Sequence, residues 1–330
     1  MSDRAIPNQA LLDFSNRKLL SPVPKNLYES ARAYFSKKEL DLLQTAYNVA
    51  FEAHKDQFRK EGSAYITHPV AVASILIELN LDIETVCAGL MHDVLEDSFI
   101  KKSYLEKLFG KDIVAIVDGV SNLNKLDFDS IEDRNANNLQ KMALAMSKDI
   151  RVIIVKLCDR LHNMRTIEFL SREKQIKKSI ETLDLYGPIA IRIGMQNIRI
   201  ELEDLAFKCI HPMRARMLES AIKQAVGGRQ KIISKLRKQF KYHLKNNDIL
   251  ATVQGRQKTL YSIYRKIKNK KKPFSEILDV YAFRVIVNSV DDAYRSLGII
   301  HNVHKPIENK FKDYIAIPKS NGYQAIHTSL

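Results

Sequence analysis

Residue types able to hold a cation occur at three separated places: His68 in YITHPVAVA, the adjacent His92-Asp93 in MHDVLED, and Asp159 in KLCDRLHNMRT. Two imidazoles and two carboxylates suit Mn, Fe or Zn better than Mg or Ca, which prefer oxygen-only shells. A cation held there would acidify water near neutral pH and polarise a phosphoryl oxygen, which is hydrolytic chemistry on phosphate. Glu96 follows Asp93 by three residues and His92 by four, and Asp97 follows Asp93 by four. On a helix these spacings share a face, so both acids could handle protons beside the ligands. Each residue also has a bland explanation. A lone His in an apolar helix is usually a core residue, and His68 before Pro69 could simply mark a helix start. Separate His, His-Asp and Asp elements on apolar, helix-patterned segments point instead to a metal-dependent phosphohydrolase.

The segments around these residues must position them. KKELDLLQTAYNVAFEAHKDQF, HPVAVASILIEL and IETVCAGLMHDVLED repeat apolar residues at three- and four-residue intervals, the helical period. CAGLMHDVL is apolar enough for one buried helix, with Val94 and Leu95 turned to a core and the acids to a cavity. Residues 28–205 are therefore expected to form an all-α domain, after a loose leader at 1–27 ending in SPVPKN. Residues 206–228 read as a connecting helix closing at Gly227-Gly228, and 229–246 as a further basic helix. Then the pattern changes. DILATVQG, LDVYAFRVIVNS and DYIAIPK are strand-like, and SVDDAYRSLGIIHNVHK reads as a helix between strands. Residues 229–330 are thus expected to be a second, α/β domain, C-terminally incomplete because the sequence stops after NGYQAIHTSL, where a strand would continue.

The 330 residues carry a net charge of +15, unevenly distributed. Residues 206–272 hold 19 Lys/Arg and two acids, Glu219 and Asp248. Such density attracts phosphates on nucleotides, RNA or anionic membranes, although a solvated helix face accounts for most of KIISKLRKQFKYHLK. No apolar run approaches a membrane span, and the N-terminus lacks the apolar region of a secretion signal. Cys87, Cys158 and Cys209 form no CxxC pair and read as buried thiols of a reducing cytoplasm.

The second domain has its own phosphate chemistry. Arg256 and Lys258 lie at a strand end or turn in GRQKTLYSIYRKIKNKKKP, and Ser262, Arg265 and Lys266 share overlapping faces of the following helix. Arg offers a planar fork and Lys a mobile point charge to a triphosphate. Asp279 opens the apolar stretch DVYAFRV, a suitable place for a carboxylate holding Mg²⁺ near phosphates. Tyr314 and Tyr323, interleaved with Lys312 and Lys319, could stack a base. The same mixture also suits single-stranded RNA, so nucleotide transfer and RNA contact both stay open here.

Six ordered motifs, YITHPVAVA, HDVLED, KLCDRLHNMRT, GRQKTLYSIYRK, DVYAFRVIV and FKDYIAIPKSNGYQAIHTS, resemble the long RelA/SpoT homologues from about residue 28 to 330. These bifunctional enzymes make and destroy (p)ppGpp, and the wording is closest to the SpoT-type branch. The resemblance implies an HD-type hydrolase domain, with Mn²⁺ held by His68, His92, Asp93 and Asp159. Glu96 and Asp97 would activate water and relay protons as the 3′-pyrophosphate leaves. Arg59 and Lys60 match phosphate contacts, and Tyr65, Asn163 and Thr166 match nucleotide-pocket positions. Asn163 also lies four residues after Asp159, on the same helix face; His162 is left as structural or as a support to the ligands.

For residues 229–330 the resemblance implies a nucleotidyltransferase-like synthetase that moves pyrophosphate from ATP to GDP or GTP. Arg256, Lys258, Ser262 and Lys266 would serve ATP, and Asp279 would bind Mg²⁺. Lys312, Tyr314, Lys319, Asn321, Tyr323 and His327 would serve the acceptor, with Tyr323 stacked on guanine. Lys310-Phe311-Lys312-Asp313 resembles the basic motif of bifunctional members. Two departures stand out. Gly62-Ser63-Ala64-Tyr65 replaces the family's Gly-Glu-Pro-Tyr, and the sequence ends before the family's second synthetase acid. Negligible synthesis is the expectation from the second. The C-terminal regions through which full-length relatives contact the ribosome or acyl carrier protein are also not in this sequence. Two alternatives remain: an HD phosphohydrolase of another nucleotide, and a basic RNA- or ribosome-binding module with a structural metal.

Overall fold

The computed structural model describes residues 22–124, 148–227, 230–270, 281–319 and 322–330. The chain divides into two compact units, Met1–Ile210 and His211–Leu330.

In the first unit the apolar spacing becomes helix. After α1 (Lys25–Arg32), α2 (Lys37–Ala53) buries Leu40, Leu43, Tyr47 and Ala50, which recur every three or four residues. Its start is fixed by a capping box, in which the Ser36 N–H donates to Glu39 Oε2 at 2.7 Å. Such caps contribute about 1 kcal/mol. Next come α3 (Thr67–Glu78) and α4 (Ile83–Met91), the latter capped by Asp82, whose Oδ1 accepts the Thr85 N–H at 2.9 Å. Gly89 of α4 lies against Val72 and Leu76 of α3, close enough that a Cβ there would collide with Leu76 Cδ1. Short α5 (Val94–Asp97) follows, then α6 (Lys102–Asn124), interrupted at Gly110 with φ +79°.

Asp149 caps α7 (Ile150–Arg165) by accepting the Arg151 N–H at 2.8 Å. Beyond it lie α8 (Arg172–Glu181), a π turn at Thr182–Tyr186, α9 (Gly187–Arg192) and α10 (Gln196–Ile210). One apolar core gathers Val72, Leu76, Val86, Leu90, Val155, Leu157 and Leu202. It packs α3, α4 and α7 together, the elements that carry or adjoin the predicted ligands. Cys87 and Cys158 are buried there, and burial pushes both thiols up.

One local expectation fails. CAGLMHDVL is not a single helix: α4 stops at Met91, and Asp93 (φ −97°, ψ −7°) turns the chain into α5. Neighbours on a continuous helix diverge by about 100° and do not face one another. The break is what lets His92 and Asp93 aim at one point. The Asp93 carbonyl still accepts the N–H groups of Glu96 and Asp97, at 3.1 and 2.9 Å.

The second unit runs α11 (Pro212–Gly227), α12 (Gln230–Lys245), β1 (Thr252–Gln257), α13 (Leu260–Lys270), β2 (Tyr281–Ile286), α14 (Val290–Val303), β3 (Lys312–Asp313) and β4 (Ile326–His327). β1 pairs antiparallel with β2 in the register Thr252↔Ile286 to Gln257↔Tyr281, and β3 pairs with β4. Phe240, Leu244, Ile249 and Val253 form its small core. Two details differ from expectation. Residues 206–227 are not one helix, because α10 ends at Ile210 and Pro212, which lacks an N–H, starts α11. DYIAIPK gives a strand only at Lys312–Asp313, since Asp313 Oδ1 accepts the N–H groups of Ile315 (2.8 Å) and Ala316 (2.9 Å) and winds the chain into a turn. The helical first unit and the mixed second unit, whose small sheet fits a partial nucleotidyltransferase-like domain, bear out the fold class read from the sequence. Among the described residues no helix is long and apolar enough to cross a membrane.

Candidate metal centre

His68 stands at the second position of α3, His92 and Asp93 at the α4–α5 break, and Asp159 in the middle of α7. All four are buried. His68 Nε2 lies 3.1 Å from Asp159 Oδ1 and 3.8 Å from Asp93 Oδ2. His92 Nε2 mirrors this, 3.1 Å from Asp93 Oδ2 and 3.8 Å from Asp159 Oδ1. Ligand atoms of His68, His92 and Asp159 all fall within 4.8 Å of one another.

The surrounding bonds orient the inward atoms and leave one of them, His92 Nε2, without a partner. His92 Nδ1 donates to the Gly89 carbonyl at 2.8 Å, while its Nε2 is buried without a hydrogen-bond partner. Asp159 Oδ2 accepts from Lys156 Nζ at 2.6 Å, and Oδ1 from Asn163 Nδ2 at 2.5 Å. Tyr65 donates its hydroxyl to Asp93 Oδ2 at 2.7 Å. A buried inward imidazole nitrogen without a hydrogen-bond partner, facing two braced carboxylates, fits a divalent cation.

The electrostatics agree. Burial opposes charge on Asp159 and Asp93, yet Lys156 holds the first well below the usual carboxylate range, and His92 holds the second low. Burial also opposes charge on His92, but the facing Asp93 raises it to about 9. Burial, reinforced by Asp93, keeps the Tyr65 phenol protonated as a donor.

The rim carries the remaining predicted groups. Glu96 is half-buried and Asp97 exposed on α5, and burial together with the Asp93 charge raises Asp97. Gln57 Nε2 donates to the Asp97 carbonyl at 2.9 Å and anchors that end of α5. Arg59 reaches across to α7, donating from Nη2 to Thr166 Oγ1 at 2.8 Å and from Nε to Glu61 Oε1 at 2.6 Å. Lys60 is exposed beside it. The Ser63-Ala64 departure sits in this tight loop: Ala64 bridges Phe58, and Gly62 takes φ +85°.

Sequence reasoning missed Lys156, although its place three residues before Asp159 put it on the same helix face. It also stopped short at His162, whose Nδ1 lies 2.8 Å from His68 Nδ1. Burial, followed by the neighbouring His68 and Arg59, lowers His162 to about 4.

In the second unit the structure brings together Lys312, Tyr314, Lys319, Tyr323 and His327. Lys312 pairs with His327 across β3–β4, and Lys319 Nζ sits 4.6 Å from the Tyr314 ring centre and 5.0 Å from that of Tyr323. The Tyr323 hydroxyl lies 2.9 Å from His327 Nε2. Thr259 opens α13, its Oγ1 2.8 Å from Ser262 Oγ and accepting the Ser262 N–H at 3.3 Å. Lys258 precedes that helix, and Arg265 and Lys266 lie on it. Asp279, Asn321 and the Arg256 side chain lie outside the described residues.

Comparison with known proteins follows the same division. Residues 46–196 match the HD domain, and residues 255–330 match the region found in RelA/SpoT proteins. The chain is 45% identical over 305 residues to the guanosine-3′,5′-bis(diphosphate) 3′-pyrophosphohydrolase of Vibrio cholerae, covering 92% of this chain and 43% of the relative. It is 46% identical over 306 residues to the bifunctional (p)ppGpp synthase/hydrolase SpoT of Escherichia coli K12, covering 93% and 44%. A GTP pyrophosphokinase of Myxococcus xanthus is 41% identical over 300 residues, covering 90% and 40%. The chain spans less than half the length of these curated relatives. With an HD domain followed by a RelA/SpoT region, and these relatives along nearly all of its length, the chain belongs to the RelA/SpoT family.

Proposed function

We propose that the first unit hydrolyses the 3′-pyrophosphate of (p)ppGpp, giving GDP or GTP and pyrophosphate. The observation carrying this is the convergence of His68, His92, Asp93 and Asp159 on one buried point, in a chain similar to proteins named for that hydrolysis. A divalent cation, Mn²⁺ in this reading, supplies Lewis-acid chemistry toward water and a phosphoryl oxygen when bound there. The protein's own groups do the rest. Asp97, raised and open to solvent, accepts the proton of the attacking water, and Glu96 beside it relays protons to the departing pyrophosphate. Arg59 and Lys60 offer positive charge to the substrate phosphates. Tyr65 and Asn163 keep Asp93 and Asp159 in place while lining the nucleotide side with Thr166.

For the second unit we propose a nucleotide site of the pyrophosphate-transfer kind. Lys319 between two tyrosine rings supports this as a platform for a guanine base and its phosphates. Lys312, Asn321 and His327 would complete the acceptor side; Arg256, Lys258, Ser262 and Lys266 would serve ATP, with Mg²⁺ at Asp279.

Substrate identity is tested by offering ppGpp and dGTP together with Mn²⁺ and following both by chromatography. Preferential loss of ppGpp is expected; preferential loss of dGTP would redirect the site to another nucleotide.

A further inference from the structure

The two inward imidazoles are not held alike. His92 Nδ1 faces the Gly89 carbonyl, which can only accept, so Nδ1 keeps a proton and Nε2 is the nitrogen left to present a lone pair to the centre once a cation displaces its proton. His68 Nδ1 faces another imidazole nitrogen, His162 Nδ1, at 2.8 Å, and either ring could donate. If His162 donates, the His68 proton sits on Nε2 and points at Asp159 Oδ1, 3.1 Å away. That arrangement gives both His68 nitrogens a partner in the absence of a cation but presents N–H where a ligand is required. If His68 donates, its Nε2 lone pair faces the centre and the His162 proton moves to Nε2.

We propose that His162 is a positioning residue that sets the tautomer of His68, accepting a hydrogen bond from His68 Nδ1–H whenever a cation is held and donating its own Nδ1–H to His68 when the cation leaves. The proposal rests on the metal-site reading above. The exchange conserves protons: His68 loses one at Nε2 and gains the one shared with His162, while His162 gains one at its own Nε2. His162 is only half-buried, so it can exchange that proton with solvent. Its place three residues after Asp159 puts a ligand and the partner of another ligand on one helix face, so α7 sets both together.

The test uses Mn²⁺ binding by the whole chain, measured by chelator competition without substrate. His162→Phe keeps a ring but removes the acceptor, and is expected to weaken Mn²⁺ about 10- to 100-fold. His162→Asn places Oδ1 where Nδ1 stood, and should restore binding to within about threefold of the unaltered chain. Long-range ¹H–¹⁵N spectra of the unaltered chain, loaded with diamagnetic Zn²⁺, should show His68 protonated at Nδ1. A folded His162→Phe that binds as tightly as the unaltered chain would overturn the proposal, as would Asn no better than Phe. So would His68 protonated at Nε2 in the Zn²⁺ form, a readout that needs no variant. Mn²⁺ binding with this pattern but without pyrophosphate release from ppGpp would refute the hydrolase alone.

Discussion

Lys156 Nζ lies 2.6 Å from Asp159 Oδ2, three residues away on the same helix, and so occupies the carboxylate oxygen turned away from the imidazoles. In the proposed site Oδ1 is the oxygen Asp159 would offer a cation, and Lys156 stabilises its charge from behind despite burial. Replacing Lys156 by Met leaves that carboxylate buried without the ammonium that faces Oδ2. Without metal, Lys156→Met should lower the unfolding free energy by about 3–5 kcal/mol, measured by urea denaturation in chelator. A loss below about 1 kcal/mol would mean the pair carries little.

The proposed roles of holding a metal and moving protons are separable by substitution. Asp93→Ala should lose both Mn²⁺ binding and pyrophosphate release. Asp97→Asn should keep Mn²⁺ affinity within a few fold while turnover falls about 10²- to 10⁴-fold. Near-normal turnover in Asp93→Ala would refute the site, and near-normal turnover in Asp97→Asn would move the proton-handling role elsewhere.

Metal affinity should rise with pH. In the metal-free protein the His92 pKa is raised to about 9, so below that pH a cation must displace a proton. Asp93 and Asp159 are held low and stay ionised across the neutral range. Between pH 6 and 8, Mn²⁺ affinity should therefore increase, by up to about tenfold per unit, and level off above about 9. Titrations in chelator buffers check this, and a flat affinity from pH 6 to 8 would contradict it.

The close approach of α3 and α4 depends on Gly89. Its missing Cβ is the space occupied by Leu76 Cδ1, and Leu76 is fully buried. Gly89→Ala should cost about 1–3 kcal/mol and weaken Mn²⁺ binding, because His68 and His92 ride on the two helices forced apart. Unchanged stability by thermal unfolding would show that Leu76 repacks freely.

Much of this was legible in the sequence, for identifiable reasons. The ligand types, their apolar flanks and the Asp159–Asn163 interval are local, and Asn163 does reach Asp159 at 2.5 Å. Contacts between distant segments were not legible. Tyr65 to Asp93, Arg59 to Thr166 and His68 to His162 span 28, 107 and 94 residues. No period in the chain announces them. The break at His92-Asp93 was hidden because apolar spacing continues across it; the need for adjacent residues to face one point was the missing constraint. In DYIAIPK, strand propensity lost to one side chain, the Asp313 carboxylate that takes two backbone N–H groups.

The most direct measurement is pyrophosphate release from ppGpp by the purified chain with Mn²⁺, repeated after chelation. Release of pyrophosphate and GDP that stops on chelation and returns with added Mn²⁺ is the expected result. No release from folded, Mn²⁺-loaded protein, or release indifferent to chelator, would contradict the hydrolase assigned to His68, His92, Asp93 and Asp159.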